Sequence, residues 1–106
     1  IPIISLPGND FMGFNLKLVS EEKRYEFINK KFDFKKTIYI GDGIYDAAIL
    51  KECFLSICPN DARIEAKKNS NFITASKAGE GAILDASLFI MKKFYKKEYN
   101  KIFKMK

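Results

Sequence analysis

Apolar positions in this chain fall into short runs separated by turn residues, and the runs alternate between two spacings. Ile1 to Leu6 is an apolar run broken by Pro7-Gly8-Asn9-Asp10, a strong turn signal. Asn15 to Val19 reads as a second short strand. Ser20 is placed to cap a helix whose first turn holds Glu21 and Glu22, where the helix dipole favours acids. Tyr25, Phe27, Ile28, Lys31 and Phe32 continue that helix with a mixed apolar face. Thr37-Ile38-Tyr39-Ile40 is β-branched and aromatic, and it runs straight into Gly41-Asp42-Gly43, the pattern of a buried strand entering a tight loop.

The alternation continues to the end of the chain. Ile44 to Glu52 predicts a helix and Phe54 to Cys58 a strand closed by Pro59-Asn60. Asp61 is placed to cap a helix over about Ala62 to Lys68, and Asn71 to Thr74 predicts another short strand. After Gly79-Glu80-Gly81, a long helix starts near Ala82, with Ile83, Leu84, Leu88, Met91, Phe94 and Tyr95 on one apolar face. Strands alternating with helices across short loops predict an α/β fold, a parallel sheet with flanking helices.

Composition narrows the function classes. With 106 residues, 47% hydrophobic and 30% charged, residues 1–106 form a single soluble domain or part of a larger one. The first residue, Ile1, is compatible with a processed product or a fragment. No apolar run approaches the ~18 residues of a bilayer span, so no membrane partner is expected. The absence of His excludes Ser-His-Asp and Cys-His catalysis and His-ligated zinc within the chain. Cys53 and Cys58 lie among apolar neighbours and read as reduced thiols, which makes a cytoplasmic location the default expectation. The net charge of +6 comes from residues 92–106, where seven lysines face one acid, Glu98. That basic carboxy-terminal helix or tail lacks an arginine or aromatic recognition motif, so it reads as a solvated helix face and nucleic acid is not the expected partner.

The candidate chemistry sits at one strand end. In open α/β sheets, ligands bind beyond the carboxyl ends of the strands, and there the sequence places Ile40-Gly41-Asp42-Gly43-Ile44-Tyr45-Asp46. Asp42 and Asp46 leave the same strand four residues apart, and with a helix beginning near Gly43 both can face one hard cation. Oxygen ligands of this kind suit magnesium. On spacing alone, an equal reading has Asp42 capping a helix while Asp46 pairs with a lysine.

From Lys23 to about Phe94 the order of elements resembles the haloacid-dehalogenase superfamily, and Thr37 to Asp46 looks like its fourth motif. The resemblance is nearest to the capless sugar-acid phosphatases, the branch of Kdo 8-phosphate phosphatase. It rests on Leu55-Ser56-Ile57-Cys58 followed by Pro59-Asn60-Asp61-Ala62-Arg63, on Asn71-Phe72-Ile73-Thr74, and above all on Gly79-Glu80-Gly81-Ala82. It implies a Rossmann-like core, Mg2+ coordinated with help from Asp42, and Asp46 supporting the site directly or through water. It further implies a third-motif cation at Lys23, with Arg24 or Lys17 as alternatives. Ser5 would fill the second motif as a hydrogen-bond donor to phosphate, although Pro7, Gly8 and Gly13 argue against the helix that normally follows it. Gly43 and Glu80 would lie at the substrate, a small phosphorylated sugar or sugar acid, in a protein commonly found as a homo-oligomer.

The superfamily's first motif, Asp-x-Asp, does not occur among these 106 residues. The expectation is therefore a core lacking the first-motif strand, which carries the metal loop but not the nucleophile and is inactive by itself. The alternative from another class is a non-catalytic binding or assembly module built on the same fold. The phosphorylation domain of a cation-pumping ATPase also has a Gly-Asp-Gly loop, but the lack of membrane segments and the Gly79-Glu80-Gly81-Ala82 run count against it.

Overall fold

The computed structural model describes residues 19–104. Three strands, β1 (Ile38–Ile40), β2 (Leu55–Cys58) and β3 (Phe72–Ile73), form one sheet in the order β1-β2-β3. Both pairings are parallel, with Ile38 opposite Leu55 and Ile57 opposite Phe72. The helices are α1 (Arg24–Lys31), α2 (Ala47–Glu52), α3 (Ile64–Lys68), α4 (Ala82–Phe94) and α5 (Lys96–Lys104). The predicted class, α/β with a parallel sheet between helices, is the one observed. Among the described residues, no helix is long and apolar enough to cross a membrane.

The alternation of side chains along β2 explains the layers. All four of its residues are buried, as expected for a central parallel strand covered on both faces. Leu55 and Ile57 point to one side, where Ala86 of α4 packs on them together with Ile40, Phe72, Phe89 and Ile90. Cys58 points to the other side, against Leu50 of α2 and Ala66 of α3, with Tyr39 and Ala62 at the margin. The Ser56 hydroxyl donates to the carbonyl of Leu50, and its amide donates to Asn71 Oδ1 at 2.8 Å.

Several boundaries depart from the sequence expectation for physical reasons. Ser20 does stand at a helix start, but its side chain makes no cap. A 3-10 turn at Glu21–Lys23 comes first, closed by Lys23 N donating to Ser20 O at 3.1 Å. The helix expected over 44–52 likewise opens with a 3-10 turn, Ile44–Asp46, before α2 begins. Asp61 does not cap α3, whose N-cap position is Arg63. Its Oδ1 instead accepts from Ala78 N at 2.9 Å and ties two loops together.

The largest difference lies in the carboxy-terminal helix. It breaks at Tyr95, where φ −130° and ψ 51° leave the helical region, so that α5 follows α4 as a separate segment. The buried side of α4 is Ala82 and Ala86, with Phe89 and Ile90 partly covered, whereas Ile83 and Leu84 are 64% and 62% exposed. Ala86 packs on Leu55 and Ile57 with Phe89 and Ile90 beside it, and Ile83 and Leu84 are left outside. The strand reading over Ile1 to Leu6 falls outside the described residues, as does nearly all of the one over Asn15 to Val19.

Candidate metal and phosphate site

The loop after β1 is organised by one buried carboxylate. Asp46 is 2% exposed, and both of its oxygens are engaged. Oδ2 accepts from the backbone amides of Asp42 at 2.9 Å and Gly43 at 2.8 Å. Oδ1 accepts from the Tyr39 hydroxyl at 2.6 Å and from Arg24 Nη1 at 2.7 Å. Gly41 makes this approach possible, because a Cβ there would lie 2.6 Å from Asp46 Cγ. The sheet contributes one more restraint, the Gly41 amide donating to Ile57 O at 3.1 Å.

Burial alone favours the neutral form of the Asp46 carboxyl. Hydrogen bonds from Tyr39, Gly43 and Asp42, with the charge of Arg24, outweigh it and hold the pKa below the ordinary carboxylate range. The Tyr39 hydroxyl is driven in the opposite direction, upward, first by burial and then by its bond to Asp46. It therefore stays protonated and remains a donor. Arg24 is 2% exposed and, among the described residues, reaches only the Tyr39 oxygen besides Asp46, at 3.5 Å. Its Nε and Nη2 are buried with no hydrogen-bond partner among the described residues.

Asp42 has the opposite character. Its backbone is fixed at both ends, the amide on Asp46 and the carbonyl accepting from Arg63 N at 2.9 Å. Its carboxylate makes no hydrogen bond among the described residues and is only partly buried. Two hollows meet at this residue. One, of about 230 Å³, is lined by Ile40, Gly41, Asp42, Pro59, Ala78 and Gly79 together with the start of α4. The other, of about 90 Å³, is bounded by Arg24, Asp42, Gly43, Ile44, Tyr45 and Asp46. Both lie at the carboxyl end of β1, where ligands enter such sheets.

The wall opposite Asp42 is held by polar contacts. Asn60 N donates to Ser76 O, and Ser76 N donates to Asp85 Oδ2 at 3.0 Å. Gly79 and Gly81 adopt φ of 76° and 109°, a left-handed backbone that glycine enters readily. Here Gly79 lines the hollow, while Glu80 between the two glycines is exposed and does not line it.

The expected site residues are thus distributed unevenly. Asp42 and Gly43 face the hollows. Asp46 lies beneath the loop with its acceptors occupied. Lys23 is exposed and lines neither hollow, whereas its neighbour Arg24 is buried and lines the smaller one. Ser5 lies outside the described residues. Tyr39 was not singled out from the sequence, although a tyrosine in a buried strand signals a partner for its hydroxyl.

Among the described residues, no group of three or more His, Cys, Asp or Glu side chains could hold a metal ion. Asp42 supplies one available carboxylate. Magnesium is commonly held through one or two carboxylates with waters and phosphate oxygens, so this donor set fits a hydrated Mg2+ and not an all-protein cage. Burial, with Glu52 nearby, pushes the Cys53 thiol up to about 11, which removes it as a nucleophile at neutral pH.

Comparison with known proteins agrees with this architecture. The cobalt-bound deoxy-D-mannose-octulosonate 8-phosphate phosphatase from Haemophilus influenzae is similar at 25% identity and a TM-score of 0.58, over 69% of this chain and 45% of that one. The 3-deoxy-D-manno-octulosonate 8-phosphate phosphatase from Yersinia pestis shares the fold at 24% identity and a TM-score of 0.50, over 60% of this chain and 37% of that one. The chain therefore spans less than half the length of either phosphatase. A sequence comparison with curated proteins finds no significant match. Residues 20–86, more than half of the chain, match the haloacid dehalogenase-like hydrolases, and the chain belongs to that family.

Proposed function

We propose that this chain supplies the metal loop and the phosphate-facing cation of a magnesium-dependent phosphomonoester hydrolase acting on a small phosphorylated sugar or sugar acid. The observation that carries the reading is the pairing of opposites at the end of β1. Asp42, whose carboxylate makes no hydrogen bond among the described residues, and Arg24, a buried guanidinium with N–H groups unpartnered among them, border one small hollow. Such a pair can neutralise and orient a transferring phosphoryl group, since phosphoryl transfer depends chiefly on positioning and charge stabilisation.

In this reading Asp42 holds Mg2+ and Arg24 takes the third-motif role expected of Lys23. Bound magnesium would supply charge neutralisation between phosphate and nucleophile. Asp46 supports the site indirectly, by fixing the Asp42 and Gly43 amides. Gly43 presents backbone to the substrate at close range, while Glu80 is a rim residue. The family's Asp-x-Asp pattern is not in these 106 residues, so in this reading the attacking aspartate would have to be supplied from outside them. It would form an aspartyl-phosphate that water then hydrolyses.

The substrate class is supported by the octulosonate 8-phosphate phosphatase that shares the fold at 25% identity. The same reading expects a homo-oligomer. The free thiols of Cys53 and Cys58 fit a reducing compartment such as the cytoplasm.

The test is hydrolysis of a panel of sugar phosphates by the intact polypeptide, with and without magnesium, beside Asp42→Asn. Magnesium-dependent turnover that falls at least ~100-fold in the variant is expected from loss of a metal carboxylate. No turnover of any phosphomonoester by the folded polypeptide would favour the non-catalytic module.

A further inference from the structure

Asp46 joins two unlike parts of the molecule. On Oδ2 it accepts from the amides of Asp42 and Gly43, which belong to the loop itself. On Oδ1 it accepts from the Tyr39 hydroxyl at 2.6 Å and from Arg24 Nη1 at 2.7 Å, which belong to the scaffold around the loop. These two scaffold donors differ in stiffness. Tyr39 stands in the middle of β1, the strand that runs into the loop, and its partner across the sheet is Ser56 of β2. Its side chain packs against the buried group of Leu50, Cys58 and Ala66. Arg24 reaches across from α1 on a long side chain with many rotamers. Rotation of a carboxylate about its Cβ–Cγ bond meets only a broad torsional preference, so its donors set its angle.

We propose that Tyr39 is a positioning residue for the loop, whose hydroxyl fixes the Asp46 carboxylate and, through it, the direction in which Asp42 presents its own carboxylate to Mg2+. The inference rests on the reading of Asp42 as the metal carboxylate, and adds to it what aims that carboxylate. The planar peptide groups on either side of the Asp42 Cα are both anchored. The first donates through the Asp42 amide to Asp46 Oδ2. The second donates through the Gly43 amide to the same oxygen and accepts from Arg63 N at the Asp42 carbonyl. Two fixed planes fix φ and ψ of Asp42, and with them its Cα–Cβ direction. Two of those three bonds end on Asp46, so a carboxylate free to turn would weaken both together. Tyr39 lines neither hollow and acts through Asp46.

The test titrates Mg2+ into the intact polypeptide and measures binding by calorimetry, with hydrogen exchange of the Asp42 and Gly43 amides read by NMR on the same samples. Tyr39→Phe keeps the ring and its packing and removes only the donor. It should bind Mg2+ about tenfold more weakly, the scale of one hydrogen bond to a charged group. Its Asp42 and Gly43 amides should exchange faster than in wild type. Ile57→Val trims the buried face of β2 and lowers stability without touching the Asp46 side chain. It should leave Mg2+ affinity unchanged, which separates aiming from folding. A Tyr39→Phe chain with wild-type Mg2+ affinity, or with wild-type exchange at both amides, would overturn the role of Tyr39 and leave Asp42 as the metal carboxylate. Ile57→Val weakening Mg2+ binding as much as Tyr39→Phe would do the same, since lost stability would then account for the effect. A wild type that binds no Mg2+, or Asp42→Asn binding it with unchanged affinity, would overturn both.

Discussion

The loop at Gly41–Asp46 and the helical pair α4–α5 are held in place by different physics. The loop depends on directional contacts at short range, with one carboxylate receiving four donors and a charge pair almost wholly removed from water. The helical pair depends on non-directional packing. One side of α4 meets the sheet through Ala86, Phe89 and Ile90. α5 adds aromatic and cation–π contacts, with Lys92 over Tyr99 and Tyr99 against Phe103. In the loop each donor has one acceptable position, so the arrangement is specific and brittle. On the helices, many side chains of similar size satisfy the same contact. The chemistry proposed for Asp42 and Arg24 would rest on the first kind of region.

Breaking the loop should therefore have the largest effect. Asp46→Ala leaves Arg24 buried and uncompensated, and a loss of about 3–5 kcal/mol in unfolding free energy is expected by chemical denaturation. The same contrast has a pH signature. The depressed pKa of Asp46 means that the unfolded chain binds its proton more readily than the folded one. Its stabilising contribution is thus fully present above the model-compound value of 3.8 and is lost as pH falls through the lower folded value. Stability measured across this acid range should decline less steeply in Asp46→Asn than in wild type.

Gly41→Ala comes next. Its Cβ would meet Asp46 Cγ at 2.6 Å, and Asp46 cannot swing away without abandoning its donors. An overpacking loss of about 1–3 kcal/mol is expected in the same denaturation assay. At the other end of the scale, Ile83→Ser on the exposed flank of α4 should change stability by no more than ~0.5 kcal/mol. A large loss at Ile83 would mean that this flank is covered in the folded protein and would remove the contrast between the regions.

Much of the fold was legible because it depends on local chemistry. The β-branched run before Gly41-Asp42-Gly43 predicts β1 and its loop. The apolar run before Pro59 predicts β2, and the glycines at 79 and 81 anticipate the left-handed turn ahead of α4. The loop at Gly41–Asp46 was legible as a candidate site for the same reason, while the spacing of its two aspartates left metal binding and a capping and ion-pairing role equally open. The facing of α1 was not. The 3-10 turn at Glu21–Lys23 winds at about three residues per turn and not 3.6, so Arg24 turns inward where Lys23 was expected. Nor was the buried side of α4 legible. Apolar residues lie all around it, and its two alanines are the ones buried.

The sequence by itself determined the alternation of strands and helices, the parallel sheet and the glycine-bordered loop after β1, because these follow from periodicity and turn residues within a few positions of each other. Only the tertiary structure decided that Asp42 and Asp46 play unlike parts. Tyr39 and Arg24 lie 7 and 22 residues from Asp46 in sequence. Whether a carboxylate binds a cation or braces a backbone depends on which donors the fold delivers to it, and spacing along the chain does not record that.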